Sequence, residues 1–201
     1  MWRPRREDYP THRDVVSWYL EGKEATWSEP SYLWPKFSTI TQHLLDTIPP
    51  PAYLLDVGCF TGYFLRHLST LGYRGVGVDL QADLMRALHE FCRHGPLDFQ
   101  FCAMENVAEV FLEETFDAVL CLDVLEHVLD EQRALESVDR VLRPDGRIIF
   151  HLPRYDADAE HLRSYTARDD VLRVGSRWRD VRLLDGVDEM GRPTWLVVGK
   201  K

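Results

Sequence analysis

The 201-residue chain has no Cys-x-x-Cys pair, no Gly-x-Gly-x-x-Gly run and no excess of positive charge. It also has no apolar stretch near the roughly 20 residues that a membrane helix needs. Each absence removes a class. Four cysteines (Cys59, Cys92, Cys102, Cys121) without pairing spacing argue against a disulfide framework or a zinc site. They read as buried thiols in a reducing, cytoplasmic setting, and no metal ligand is expected. The missing third glycine counts against a nicotinamide-dependent oxidoreductase. The opening MWRPRREDYP lacks the apolar core of a signal peptide, and no membrane span is expected. A formal charge of −9 argues against a nucleic-acid partner, because the sequence-independent part of that affinity is a basic surface. The arginines between Arg154 and Arg182 alternate with Asp156, Asp158, Glu160, Asp169, Asp170 and Asp180, which reads as a solvated face.

What is present is an ordinary globular composition, 45% hydrophobic and 28% charged, sized for one compact domain with a modest appendage. Residues 1–30 are rich in Trp, Tyr, Pro and charge. The stretch 31–48 then shows helical spacing, with Leu33, Phe37, Ile40, Leu44 and Ile48 on one side. Pro49 to Pro51 stop that helix and set off residues 1–50 as a helical lid or cap segment ahead of the main domain, 51–201. The aromatics Trp27, Tyr32, Trp34 and Phe37 either shape a lid or form the face that covers a sheet.

From Tyr53 onward, apolar strands alternate with helices. Strands are predicted at Tyr53–Val57, Gly75–Asp79, Asp98–Cys102, Phe116–Cys121 and Arg147–Leu152. Helices are predicted at Gly62–Leu71, Ala82–Arg93, Asn106–Phe111 and Glu131–Leu142. Arg143 to Gly146 reads as a turn. The tail adds a helix at Thr166–Val174 with Thr166 as N-cap, then strands Val181–Leu184 and Thr194–Val198 joined by a turn-rich loop. The predicted architecture is a doubly wound, mainly parallel seven-stranded α/β sheet ending in an antiparallel hairpin.

The chemistry-bearing segment is LLDVGCFTGYFL, Leu54 to Leu65. A strand ends in Asp56, and Gly58 and Gly62 open the backbone just before a helix N-terminus. A carboxylate there repels phosphate and suits a cationic ligand. The next strand ends in Asp79, where an acid accepts both hydroxyls of a ribose or caps the following helix.

Taken in order, LLDVGCFTGYFL, GVGVDL, FDAVLCLDVLEHV and VLRPDGRIIFHLP resemble the class I S-adenosylmethionine-dependent methyltransferases, from Tyr53 to about Pro153. The resemblance implies a Rossmann-like methyltransferase fold and S-adenosyl-L-methionine as methyl donor, with S-adenosyl-L-homocysteine as product. It implies that Asp56, Gly58, Phe60 and Gly62 border the methionine moiety and that Asp79 holds the ribose. Leu80 would touch the adenine, Met104 and Glu105 would face its edge, and Cys121 would offer backbone to the methionine ammonium. Two positions depart from the family pattern. Phe60 replaces a glycine and either narrows the pocket or reroutes the loop. Ala103 replaces an acid and leaves the adenine amine to Glu105 or backbone.

In-line methyl transfer asks for alignment and desolvation, and for a base only where the acceptor must lose a proton. His151 at the end of the fifth strand and His127 in LEHV are the candidates, each alternatively structural; His161, Tyr155 and Tyr165 are further candidates in the tail. The expected activity is methylation of an oxygen or nitrogen on a small molecule: a metabolite, glycan or lipid precursor. Alternatives are a protein or peptide acceptor, or a non-catalytic binding protein of the same fold. The sequence leaves the oligomeric state open.

Overall fold

The computed structural model describes residues 34–155, 161–188 and 191–201. Its elements run α1 (Trp34–Thr47), β1 (Tyr53–Val57), α2 (Tyr63–Thr70), β2 (Arg74–Asp79), α3 (Ala82–Cys92), β3 (Leu97–Phe101), α4 (Val107–Val110), β4 (Phe116–Leu122), α5 (Glu131–Val141), β5 (Leu142–Pro153), α6 (Arg168–Gly175), β6 (Arg179–Val187) and β7 (Pro193–Lys200). The seven strands form one sheet in the order β3-β2-β1-β4-β5-β7-β6. The first five pair in parallel, and β7 inserts antiparallel between β5 and β6.

Period-2 alternation sorts the strand side chains into two cores. Leu54, Ala118, Leu120, Ile149 and Val198 face α1, α2 and α3, where Ile40, Leu44, Phe64, Leu65 and Leu88 bury. Leu55, Val57, Val119, Cys121, Phe150 and Val197 face α5 and α6, where Leu135, Val138, Val171 and Val174 bury. By the same parity Asp56 and His151 belong to the α1 face. Phe37 stacks on Phe64 with ring centroids 4.4 Å apart, so α1 covers the sheet through its apolar side. Trp27 and Tyr32 lie outside the described residues. Among described helices none is long and apolar enough to cross a membrane.

Three expectations need correction. The predicted turn Arg143–Gly146 lies within β5: Phe116 pairs with Leu142, and pairing resumes at Ala118 with Arg147. The extra residues bulge out, with Asp145 at φ 65°, instead of separating helix from strand. Helix α6 starts at Arg168 with Ala167 as N-cap, not Thr166; the Asp170 carboxylate accepts the Ala167 N–H (3.3 Å) and so takes over the capping role. The closing hairpin is also longer than expected, because Asp185 to Val187 pair with Trp195 to Pro193.

Candidate active site

The turn after β1 is built on the end of β2. The N–H groups of Gly58 and Cys59 both donate to the Val78 carbonyl, at 2.8 and 3.0 Å. Gly58 has φ 69°, and a Cβ there would lie 2.2 Å from Val124 Cγ2; at Gly62, φ 64°, it would lie 2.4 Å from Phe99 Cε1. Packing alone therefore demands both glycines. Phe60 itself adopts the left-handed conformation, at φ 49°, which glycine enters more easily.

Asp79 fastens this loop. Its Oδ2 accepts the Phe60 N–H and its Oδ1 accepts the Gln81 N–H, each at 3.0 Å. A carboxylate has about four acceptor positions, so two remain for ribose hydroxyls. Beyond it, Leu80 and Phe101, at the tips of β2 and β3, are exposed apolar side chains at the strands' carboxyl ends. Met104 is drawn into the core, its sulfur 3.6 Å from the Cys121 thiol, so backbone is what both residues offer a ligand at this edge. Glu105 is half-buried.

Asp56 is buried at the end of β1, and burial, then Asp79, push its carboxyl up to about 7, partly offset by Lys36. A buried acid beside another acid is a place where a cationic ligand gains and a phosphate loses. The residues present thus fit a sulfonium-bearing donor with an ammonium group.

At the ends of β4 and β5 the fold joins three residues distant in sequence. His151 Nδ1 lies 2.5 Å from Asp123 Oδ1, and Lys36 on α1 pairs with Asp123 Oδ2. Asp123 has φ 57°, and its N–H donates to the His151 carbonyl (3.0 Å). Partial burial opposes its ionisation, but the His151 hydrogen bond and the Lys36 charge outweigh that and hold it well below the usual carboxylate range. An ionised Asp123 requires the proton on His151 Nδ1, which leaves Nε2 as the basic nitrogen. That Nε2 is buried and makes no hydrogen bond to any described residue. Sequence reasoning named His151 but missed Lys36 and Asp123. The available signal was an acid one residue past β4, where ligands bind in such sheets.

His127 is exposed in the 3-10 turn Leu125–His127 and sits against His161 of the tail, not against His151. Glu126 in the same turn is buried, and burial, then Asp123, push its carboxyl up to about 8. Tyr155 donates to Asp188 (3.1 Å) and Tyr165 to Glu131 (2.8 Å); burial, then the partner carboxylate, pushes both phenols up, which makes them poor proton shuttles. A concavity of about 950 Å³ lies between α2 and the end of α3. It holds none of these groups.

This strand order, with the acid-tipped β1 and β2, is the fold of the class I S-adenosylmethionine-dependent methyltransferases, and about half of the chain is similar to their methyltransferase domain. The family model described as a methyltransferase domain matches residues 55–150. A ubiquinone biosynthesis O-methyltransferase of Idiomarina loihiensis is 33% identical over 99 residues, 48% of this chain and 40% of that protein. The human mitochondrial ubiquinone biosynthesis O-methyltransferase is 31% identical over 124 residues, 55% of this chain and 33% of that one. The chain thus spans less than half the length of these curated relatives. Among solved structures, a Burkholderia thailandensis 1,6-didemethyltoxoflavin-N1-methyltransferase with bound S-adenosylhomocysteine superposes with TM-score 0.69 at 19% identity, over 100% of this chain and 92% of that chain.

Proposed function

We propose that this domain transfers a methyl group from S-adenosylmethionine to a hydroxyl oxygen of a small-molecule acceptor, with His151 as general base. The Asp123–His151 pair at the carboxyl edge carries the reading. When bound, the donor supplies an electrophilic methyl on a positively charged sulfur. Asp56 faces that charge, Asp79 holds the sugar while keeping the Phe60 loop closed, and the Leu80 and Phe101 tips give the adenine an apolar surface. A hydroxyl acceptor must lose its proton as its oxygen attacks, and His151 Nε2 is the group kept ready to receive it. Asp123 fixes the tautomer and faces the imidazolium that results, while Lys36 keeps Asp123 ionised. The O-methyltransferase relatives support oxygen as the target. Their names concern those proteins, and the acceptor here is assigned only to the class of small hydroxylated molecules.

The test is methyl transfer from labelled donor to a panel of phenols and catechols by the parent and His151→Ala. The expected result is transfer by the parent, a turnover fall of about 10²–10⁴-fold in the variant, and unchanged affinity for S-adenosylhomocysteine. Equal turnover would remove His151 from the reaction. Donor binding without transfer to any hydroxyl would favour a non-catalytic or macromolecule-directed role.

A further inference from the structure

Glu126, His127 and His161 form a cluster that the proposed methyl transfer leaves unused. One carboxylate oxygen and two imidazole nitrogens lie within 4.8 Å of one another. They come from two segments that the fold stitches together. The Leu162 N–H donates to the Glu126 carbonyl (2.8 Å). The Arg163 guanidinium donates to the carbonyls of Leu125 (3.0 Å), Leu129 (3.2 Å) and Val128. These bonds hold the tail across the 3-10 turn and set the two imidazoles edge to face, with centroids 4.8 Å apart at 84°. Glu126 is only 1% exposed, and its Oε2 accepts no hydrogen bond from any described residue. Leaving a buried carboxylate oxygen without a donor is costly. A cation is a partner that the Glu126 carboxylate and the two imidazoles can share.

We propose that Glu126, His127 and His161 bind one divalent transition-metal ion. Two imidazoles and a carboxylate suit zinc or manganese better than the all-oxygen shells of calcium and magnesium. Metal bonds of about 2.0–2.2 Å place tetrahedral ligands about 3.4 Å apart, so the widest pair here closes by roughly 1.4 Å on binding. His127 is exposed, on the solvent side of the cluster. Three protein ligands leave an open position for water or another oxygen. Ion binding needs neither donor nor acceptor, so this inference and the methyl-transfer reading stand or fall separately.

The test uses chelator-treated full-length protein titrated with zinc chloride or manganese chloride alone, followed by calorimetry, by manganese spin resonance and by melting temperature. One ion should bind per chain and raise the melting temperature. Glu126→Gln, His127→Ala and His161→Ala should each weaken binding more than about tenfold. His127→Ala, altering an exposed side chain, should keep the parent's metal-free melting temperature, which separates ligand loss from misfolding. His89→Ala, which removes an exposed histidine paired with Asp98, should bind as the parent does. Absence of stoichiometric binding, retained affinity in His127→Ala, or equal loss in His89→Ala would overturn the proposal.

Discussion

Asp56 makes the stability of the free domain depend on pH in a direction opposite to most carboxylates. Its folded-state pKa, pushed up to about 7 from 3.8, lies above its unfolded value. Its contribution is therefore fully present below the unfolded pKa and is lost as pH rises through the folded one. At 1.36 kcal/mol per pKa unit, the raised pKa destabilises the folded state relative to the unfolded chain by about 2 kcal/mol at pH 5 and about 4 kcal/mol at pH 8. Asp56→Asn removes the charge and keeps the shape. The variant should gain on the parent by roughly 2–3 kcal/mol between pH 5 and pH 8, read from urea midpoints in parallel titrations. Donor binding should reverse the order. A cation beside Asp56 favours the carboxylate, so parent affinity for S-adenosylmethionine should rise from pH 6 to pH 8 with proton release, while the variant stays weak and flat. A parent–variant gap independent of pH would refute the argument, because it would mean that Asp56 is ionised at no special cost.

Two further expectations rest on the same loop. Asp79→Ala removes the acceptor of the Phe60 and Gln81 N–H groups as well as the ribose partner, so calorimetry should show donor affinity lower by about 1.5–3 kcal/mol, roughly tenfold or more. Affinity equal to the parent's would remove the ribose assignment. Gly62→Ala should destabilise the fold by more than about 1 kcal/mol, because its Cβ meets the Phe99 ring and its φ is positive; a melting temperature at or above the parent's would contradict this.

Much of the scaffold was legible because local signals agreed. Strand β1 runs as an apolar stretch bounded by prolines and Gly58, and its observed limits are those expected. Helix α5 has Asp130 as N-cap, its carboxylate accepting the Arg133 N–H at 3.0 Å, and a strongly one-sided apolar face. The start of β5 was not legible, because pairing of Leu142 with Phe116 across a bulge is a tertiary fact that turn chemistry at Pro144 and Gly146 conceals. Glycine positions in the β1–α2 turn could be read as a site. That Val124 and Phe99 also demand them could not, since Val124 comes from the loop after β4 and Phe99 from β3. The Lys36–Asp123–His151 group shows the same limit. Each residue is unremarkable in its own segment, and only the winding of β4 beside β5, with α1 laid over them, brings the charges together.

The most direct measurement is a crystal structure of the full chain with S-adenosylhomocysteine. The account predicts the nucleoside at the carboxyl edge of β1 and β2, with ribose hydroxyls on Asp79, the amino-acid end beside Asp56, and sulfur turned toward the Asp123–His151 pair. A ligand lodged between α2 and α3, or a ribose out of reach of Asp79, would contradict it.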